Sequence, residues 1–347
     1  MSCRIARRIA LSACLVLGVL AGPVGPFGPF GPAARLAALA EDRPVFTLSV
    51  PGSETDTRSV ALAEIFAPMV AGFADYRPAY NGTLFAQGTE LEAIARGNLT
   101  MAIASAQELA QYFPEFSIFA TGYVHRDAAH QLRVFNDPLM DPFRKTVEEG
   151  LGVKLLSVMY LGRRHVNLRQ CRDELEIRTP ADLAGVNLRM PGTEAWQFLG
   201  AALGASPVPM AFTEVYTALA TGAVDGQDNP LPTVVDAKFY EVTCQIALTA
   251  HLVDLNYIAF SKPVWDGLTP AQQLTLQRAA DAAAAWARLK QLEKEATLIG
   301  FLRAQGVEIY TPDVEAFRAH VQQRYAGSDL AAAWPEGLLE RINALAE

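Results

Sequence analysis

Cysteine, histidine and clustered basic charge are all scarce in this 347-residue chain, and each scarcity excludes a class of function. The four cysteines, Cys3, Cys14, Cys171 and Cys244, form no CxxC pair, which excludes zinc ribbons and thioredoxin-type redox centres. Of the five histidines, His125 and His130 are spaced off any common helical face, and His165, His251 and His320 are isolated; each reads as a structural histidine rather than a metal ligand. Lys+Arg number 29 against 37 Asp+Glu, a net charge of −8. No segment gathers the basic residues a phosphate backbone needs, so nucleic acid is not an expected partner. There is no G-x-S-x-G elbow, no GK[ST] phosphate loop and no G-x-G-x-x-G after a strand, so no catalytic constellation and no cofactor are expected. Acidic pairs such as Glu148-Glu149 read as solvated surface. Apolar residues nevertheless make up 51% of the chain, ample for packed cores in two domains.

The first forty residues read as an export signal rather than as fold. Arg4, Arg7 and Arg8 precede a short apolar run, Ile9 to Leu20, and an A-x-A site stands at Ala38-Leu39-Ala40. The run is too short to span a bilayer, and the GPVGPFGPFGP tract behind it cannot hold a helix. A lipoprotein reading at Leu11-Ser12-Ala13-Cys14 is disfavoured because the apolar stretch continues past the cysteine. Cleavage near Ala40 leaves 25 basic against 37 acidic residues, a net charge of −12, and an exported chain is expected. Cys171 and Cys244 then meet an oxidising compartment. A bridge between them and two buried free thiols are both open readings.

Along the mature chain, strand and helix patterns alternate, as α/β packing requires. Strands are expected at Val45 to Val50, Met101 to Ala104, Val153 to Tyr160, Val186 to Met190 and Val307 to Tyr310. Helices are expected at Asp56 to Val70, Thr89 to Arg96, Thr179 to Leu183, Glu194 to Leu203 and Phe212 to Thr221. Thr269-Pro270-Ala271-Gln272 spells a capping box. The helix it opens favours some 30 residues, about 45 Å at 1.5 Å per residue, which exceeds one small domain. A second Thr-Pro start, Thr311-Pro312, is expected to open the C-terminal helix.

The stretch from Leu183 to Leu255 is more specific. It carries LRMP at 188–191, PVPMAFTEVYTAL at 207–219, GAVDGQDNPL at 222–231 and KFYEV at 238–242. Asn81-Gly82-Thr83-Leu84, Leu91 to Gly97 and SKPVWDGLTPAQQ at 261–273 fit the same pattern more loosely. These motifs resemble the DctP-type periplasmic solute-binding subunits of TRAP (tripartite ATP-independent periplasmic) transporters. The resemblance implies an α/β, two-lobe periplasmic-binding-protein-like fold with a hinged cleft and a long helix spanning both lobes. It places lobe I at 41–161, with about 255–295 returning to it, and lobe II at 162–254, with about 296–347 returning. The function it implies is capture of a small organic acid, such as a C4-dicarboxylate, in the periplasm and its delivery to TRAP permease membrane subunits. A monomer and no enzymatic activity are expected.

The family's arginine in R-[MV]-P is Arg189, whose rigid guanidinium fork suits a carboxylate through two parallel hydrogen bonds. Arg164, in Gly162-Arg163-Arg164, resembles the segment giving a second carboxylate contact. Asn229 of GQDNP and Phe212 match a binding asparagine and an aromatic that packs on the ligand body; Gln227, Glu214 and His251 are weaker candidates. Where sialate-binding members carry acidic groups, this chain has Gln87 and Ser105, so a smaller acid is expected to fit better than a polyhydroxylated one. The loop Ser53-Glu54-Thr55 is expected to face the cleft. Two alternatives compete: a ligand-presenting sensor subunit of a membrane receptor, distinguished by gene neighbourhood, and an exported α/β enzyme, distinguished by turnover of the bound acid. An ABC-type binding protein would differ only in its partner.

Overall fold

The computed structural model describes residues 43–346, so the leader and its cleavage motif lie outside the described residues. Short-range strand–helix units build the two ends of one mixed sheet. At one end, β1 (Val45–Ser49) pairs in parallel with β2 (Asp75–Ala79) and β3 (Met101–Ala104). At the other, β5 (Asn187–Met190) pairs in parallel with β6 (Ser206–Pro209) and β7 (Gly226–Pro230). Two long antiparallel strands, β4 (Val153–Leu168) and β8 (Gln245–Ser261), join them, giving the order β2-β1-β3-β8-β4-β7-β5-β6, with β9 (Glu308–Tyr310) beside the start of β8. This is the expected two-lobe α/β architecture, with crossing strands between the lobes.

β4 continues past Tyr160, where a strand end is expected, as far as Leu168. Both crossing strands are buried along nearly their whole length, which erases the polar–apolar alternation that marks a half-buried strand. Register shifts between Leu155 and Val158, Tyr160 and Gly162, and Arg164 and Val166 bend the ladder where the lobes meet. Gly162 sits there at φ +131°, and a Cβ on it would lie 2.5 Å from Pro230 Cβ, so no other residue fits.

The long helix, Pro270–Ala304, has the expected capping box: Thr269 N donates to Gln272 Oε1 at 2.8 Å. Its 35 residues span about 52 Å. Leu276, Ala279, Ala280 and Ala283 share a core with Phe46, Leu62, Phe66 and Phe260, while Leu302 joins Val215, Phe239 and Ile246 at the other end. One helix thus packs on both lobes.

Two expectations are corrected. The C-terminal helix begins at Val314 rather than at Thr311-Pro312, because Asp313 accepts the Ala316 N–H at 3.0 Å and so caps it. The last helix, Leu338–Ala344, does not return to the second lobe. Leu338 and Ile342 are buried in the core that holds Phe116, Phe119 and Phe143, and Trp334 Nε1 donates to Ser117 Oγ at 2.8 Å. Cys171 and Cys244 form a disulfide with Cα atoms 4.9 Å apart, tying the segment after β4 to the start of β8. No helix among the described residues is long and apolar enough to cross a membrane.

Candidate functional site

The sheet's crossover carries a polar cavity between its two halves, lined by Arg189, Arg164, Asn229, Phe212, Gln87 and Ser105 of the sequence-derived candidates. Gln227, Glu214 and His251 do not line it. Gln227 instead accepts the Asn229 Nδ2 hydrogen bond at 2.5 Å and donates to Asn167 Oδ1 at 2.8 Å, so it holds Asn229 in place. Glu214 is solvent-exposed. The Ser53-Glu54-Thr55 loop stops short of this cavity; Val50, Pro51 and Gly52 reach it, and Ser53 lines the neighbouring one.

Arg189 differs electrostatically from the other arginines. It stands near the end of β5 and is 1% exposed. Its Nε and Nη2 donate to Met210 O at 2.9 and 2.7 Å, and Nη2 also reaches Gln87 Oε1 at 3.3 Å. All these acceptors are neutral. No carboxylate among the described residues pairs with it, and its Nη1 donates to none of them. Burial pushes its pKa down to about 9, with Asp228 working against the shift and Arg164 with it. A buried cation without a counter-charge is costly, and a carboxylate entering the cavity would supply that charge.

The other two cavity arginines are already neutralised. Arg164 Nε donates to Asp228 Oδ2 at 2.6 Å, its Nη2 to Asp228 Oδ1 at 2.9 Å and its Nη1 to Asp254 Oδ2 at 2.7 Å. Its guanidinium carbon stacks 4.5 Å from the Trp196 ring centroid. Burial alone would raise the Asp228 carboxyl, but the Arg164 charge and hydrogen bonds from His251 and Arg164 outweigh it and hold it far below the usual carboxylate range. Arg58, which the sequence reading missed, donates to Asp56 at 2.9 and 2.8 Å and to Asn256 Oδ1 at 2.6 Å.

Hydrogen-bonding capacity for hydroxyl groups surrounds this charge pattern. Asp254, Asn256, Glu108 and Thr233 line the cavity and were also missed. Glu108 closes a capping box with Ser105: Ser105 N donates to Glu108 Oε2 at 2.8 Å, and Glu108 N to Ser105 Oγ at 3.1 Å. Burial raises the carboxyls of both Glu108 and Asp254. Gln87 spans the gap between lobes, since its Oε1 accepts from Arg189 and, at 2.9 Å, from Phe212 N. Trp196, Phe212 and Leu161 supply apolar faces. The arrangement suits a monoanion with several hydroxyls, and nothing in it resembles a nucleophile–base pair.

Residues 55–329 match the family model described as DctP, bacterial extracellular solute-binding protein, family 7. A crystal structure of a TRAP periplasmic solute binding protein from Roseobacter denitrificans, with bound 3-deoxy-D-manno-oct-2-ulosonic acid (KDO), is 73% identical. It covers 88% of this chain and 100% of its own, with a TM-score of 0.87. The sialic acid-binding periplasmic protein SiaP of Vibrio cholerae is 30% identical over 239 residues, 69% of this chain and 73% of its own. The 2,3-diketo-L-gulonate-binding periplasmic protein YiaO of Escherichia coli is 28% identical over 269 residues, 76% of this chain and 80% of its own.

Proposed function

The chain belongs to the DctP family, bacterial extracellular solute-binding protein family 7, and from that premise we propose that its ligand is an acidic sugar of the 3-deoxy-ulosonic class. As a TRAP solute-binding protein it captures an organic acid and delivers it to the permease. The observation that carries the sugar-acid reading is Arg189, the buried cation that has no carboxylate partner among the described residues. One uncompensated charge matches one carboxylate, whereas a C4-dicarboxylate would need a second, and Arg58 and Arg164 are both paired. The polar groups of Asp254, Asn256, Asn229, Glu108 and Ser105 then serve the hydroxyls. The KDO-bound relative at 73% identity supports the same class, so the preference for a smaller acid drawn from Gln87 and Ser105 is given up.

Arg189 grips the carboxylate in this reading, and Arg164 stiffens the floor through Asp228, Asp254 and Trp196. The lobes, 41–161 with about 255–295 and 162–254 with the chain from about 296 to Trp334, close by bending at the β4/β8 crossover. Closure excludes water and strengthens the charge-assisted bonds. The protein acts as a monomer in the periplasm after cleavage near Ala40, without turning its ligand over. Melting-temperature shifts of ligand-free protein test this: KDO and related sugar acids raise it, while succinate and malate do not. A shift from the dicarboxylates alone would overturn the ligand class but not the family.

A further inference from the structure

A second cavity, of about 210 Å³, lies against the outer side of the strand crossover and shares no residue with the ligand cavity. Its walls come from β4, β8, the turn before helix Ala128–Asn136 and helix Val314–Ala326. Strand geometry makes the separation: successive side chains point to opposite faces, so Arg164 enters the ligand cavity while its neighbour Arg163 enters this one.

Three arginines, Arg126, Arg163 and Arg318, converge here in a chain whose net charge is −8. Arg126 and Arg163 make no ion pair among the described residues. Arg318 forms an ion pair with Glu315, Nε to Oε2 at 3.4 Å, in which its buried Nε makes no hydrogen bond. His125, 3% exposed in the cavity wall, has neither ring nitrogen partnered. Such orphans are rare in folded proteins and call for a partner that the chain does not supply. Acids lie near as well: Asp127 Oδ1 caps His130 N at 2.8 Å, Glu295 accepts Tyr160 OH and Arg163 N, both at 2.6 Å, and Glu315 pairs with Arg318, so Arg126 and Arg163 are the arginines without a direct carboxylate partner among the described residues. Tyr123 spends its hydroxyl on Thr249 O at 2.9 Å. Two non-glycine residues of the lining, Tyr123 at φ +64° and Ala250 at φ +48°, hold left-handed backbone, a conformation that costs energy and clusters at functional sites.

We propose that this cavity is a second anion site, separate from the sugar-acid cleft, that takes a phosphate group. Three arginines in its lining favour a multiply charged, compact oxyanion over a single carboxylate. The proposal does not depend on the identity of the ligand in the main cleft.

Titration of the ligand-free protein with inorganic phosphate, followed by phosphorus NMR at constant ionic strength, tests it, with glycerol phosphate as a parallel probe. Saturable binding is expected for the wild type and for Arg189→Met. In the doubly substituted Arg126→Gln/Arg163→Gln protein it weakens at least tenfold for each lost charge-assisted contact, by roughly a hundredfold together. Both arginines are exposed, so the fold survives, and unchanged sugar-acid binding by the double variant checks that. Binding of phosphate but not of the ester assigns the site to free phosphate, and binding of both to phosphomonoesters generally. A non-saturating response, an unaffected double variant, or loss of binding in Arg189→Met overturns the proposal.

Discussion

Replacing Arg189 by methionine is expected to stabilise the ligand-free protein while abolishing its function. The guanidinium is buried, and its pKa falls from an arginine's ordinary 12.5 to about 9. At about 1.4 kcal/mol per tenfold change in protonation constant, keeping that charge costs on the order of 5 kcal/mol. Both values lie above neutral pH, so the folded and unfolded chains are protonated alike at pH 7 and the whole cost is present there. It is relieved only as pH rises through about 9. Against this, methionine loses the two hydrogen bonds to Met210 O and the one to Gln87, and leaving that carbonyl unsatisfied costs about 2–3 kcal/mol. Methionine fills a similar volume, so no large cavity opens. The balance is a gain of about 2 kcal/mol, a rise in melting temperature of roughly 3 °C in a chain of this size. Calorimetric melting of protein refolded from denaturant, to strip any ligand, reads it directly. A fall of several degrees would refute the idea that Arg189 is an uncompensated charge held for a ligand.

Other substitutions probe other parts of the account. Burial and the Glu108 charge raise Glu90 to about 8. A carboxyl with a raised folded pKa destabilises the fold progressively as pH climbs from 4.5 to about 8, so Glu90→Gln melts higher than wild type at pH 8 and equal to it near pH 4; a pH-independent difference would contradict this. Reducing the Cys171–Cys244 bridge, which closes a loop of 73 residues, lowers stability by about 4 kcal/mol in the chain-entropy model; melting curves with and without reductant should differ by several degrees, and coincident curves would contradict it. Gln87→Leu removes the acceptor shared by Arg189 and Phe212, and two lost bonds weaken ligand affinity by about tenfold. Equal affinity by calorimetry would show that Gln87 does not hold the closed form.

Local chemistry was legible in the sequence and distant pairing was not. The capping box at Thr269 and the strands at Val45, Met101, Asn187 and Glu308 follow from neighbouring residues, whereas β2 and β6 were not expected and Arg189 was singled out by the family resemblance. β7 escaped because Gly226-Gln227-Asp228-Asn229-Pro230 has almost no strand propensity; it is a strand because both neighbours pair with it and its side chains form a buried network. β8 escaped because burial on both faces leaves no period to read. Arg164 was recognised, but its neutralisation by Asp228 and Asp254, 64 and 90 residues away, depends on tertiary contact. Arg58 and Glu108 lie on short helices whose first turns they help to cap, so in the sequence they look like ordinary helix-terminal residues.

Calorimetric titration of ligand-free wild-type and Arg189→Met protein with KDO decides whether Arg189 is the carboxylate-binding charge. The wild type should bind with saturable heat. Loss of two charge-assisted hydrogen bonds, at about 1.5–3 kcal/mol each, should weaken the variant by at least a hundredfold. Affinity within a few-fold of wild type in Arg189→Met would contradict the account, because the carboxylate would then be held elsewhere in the cleft.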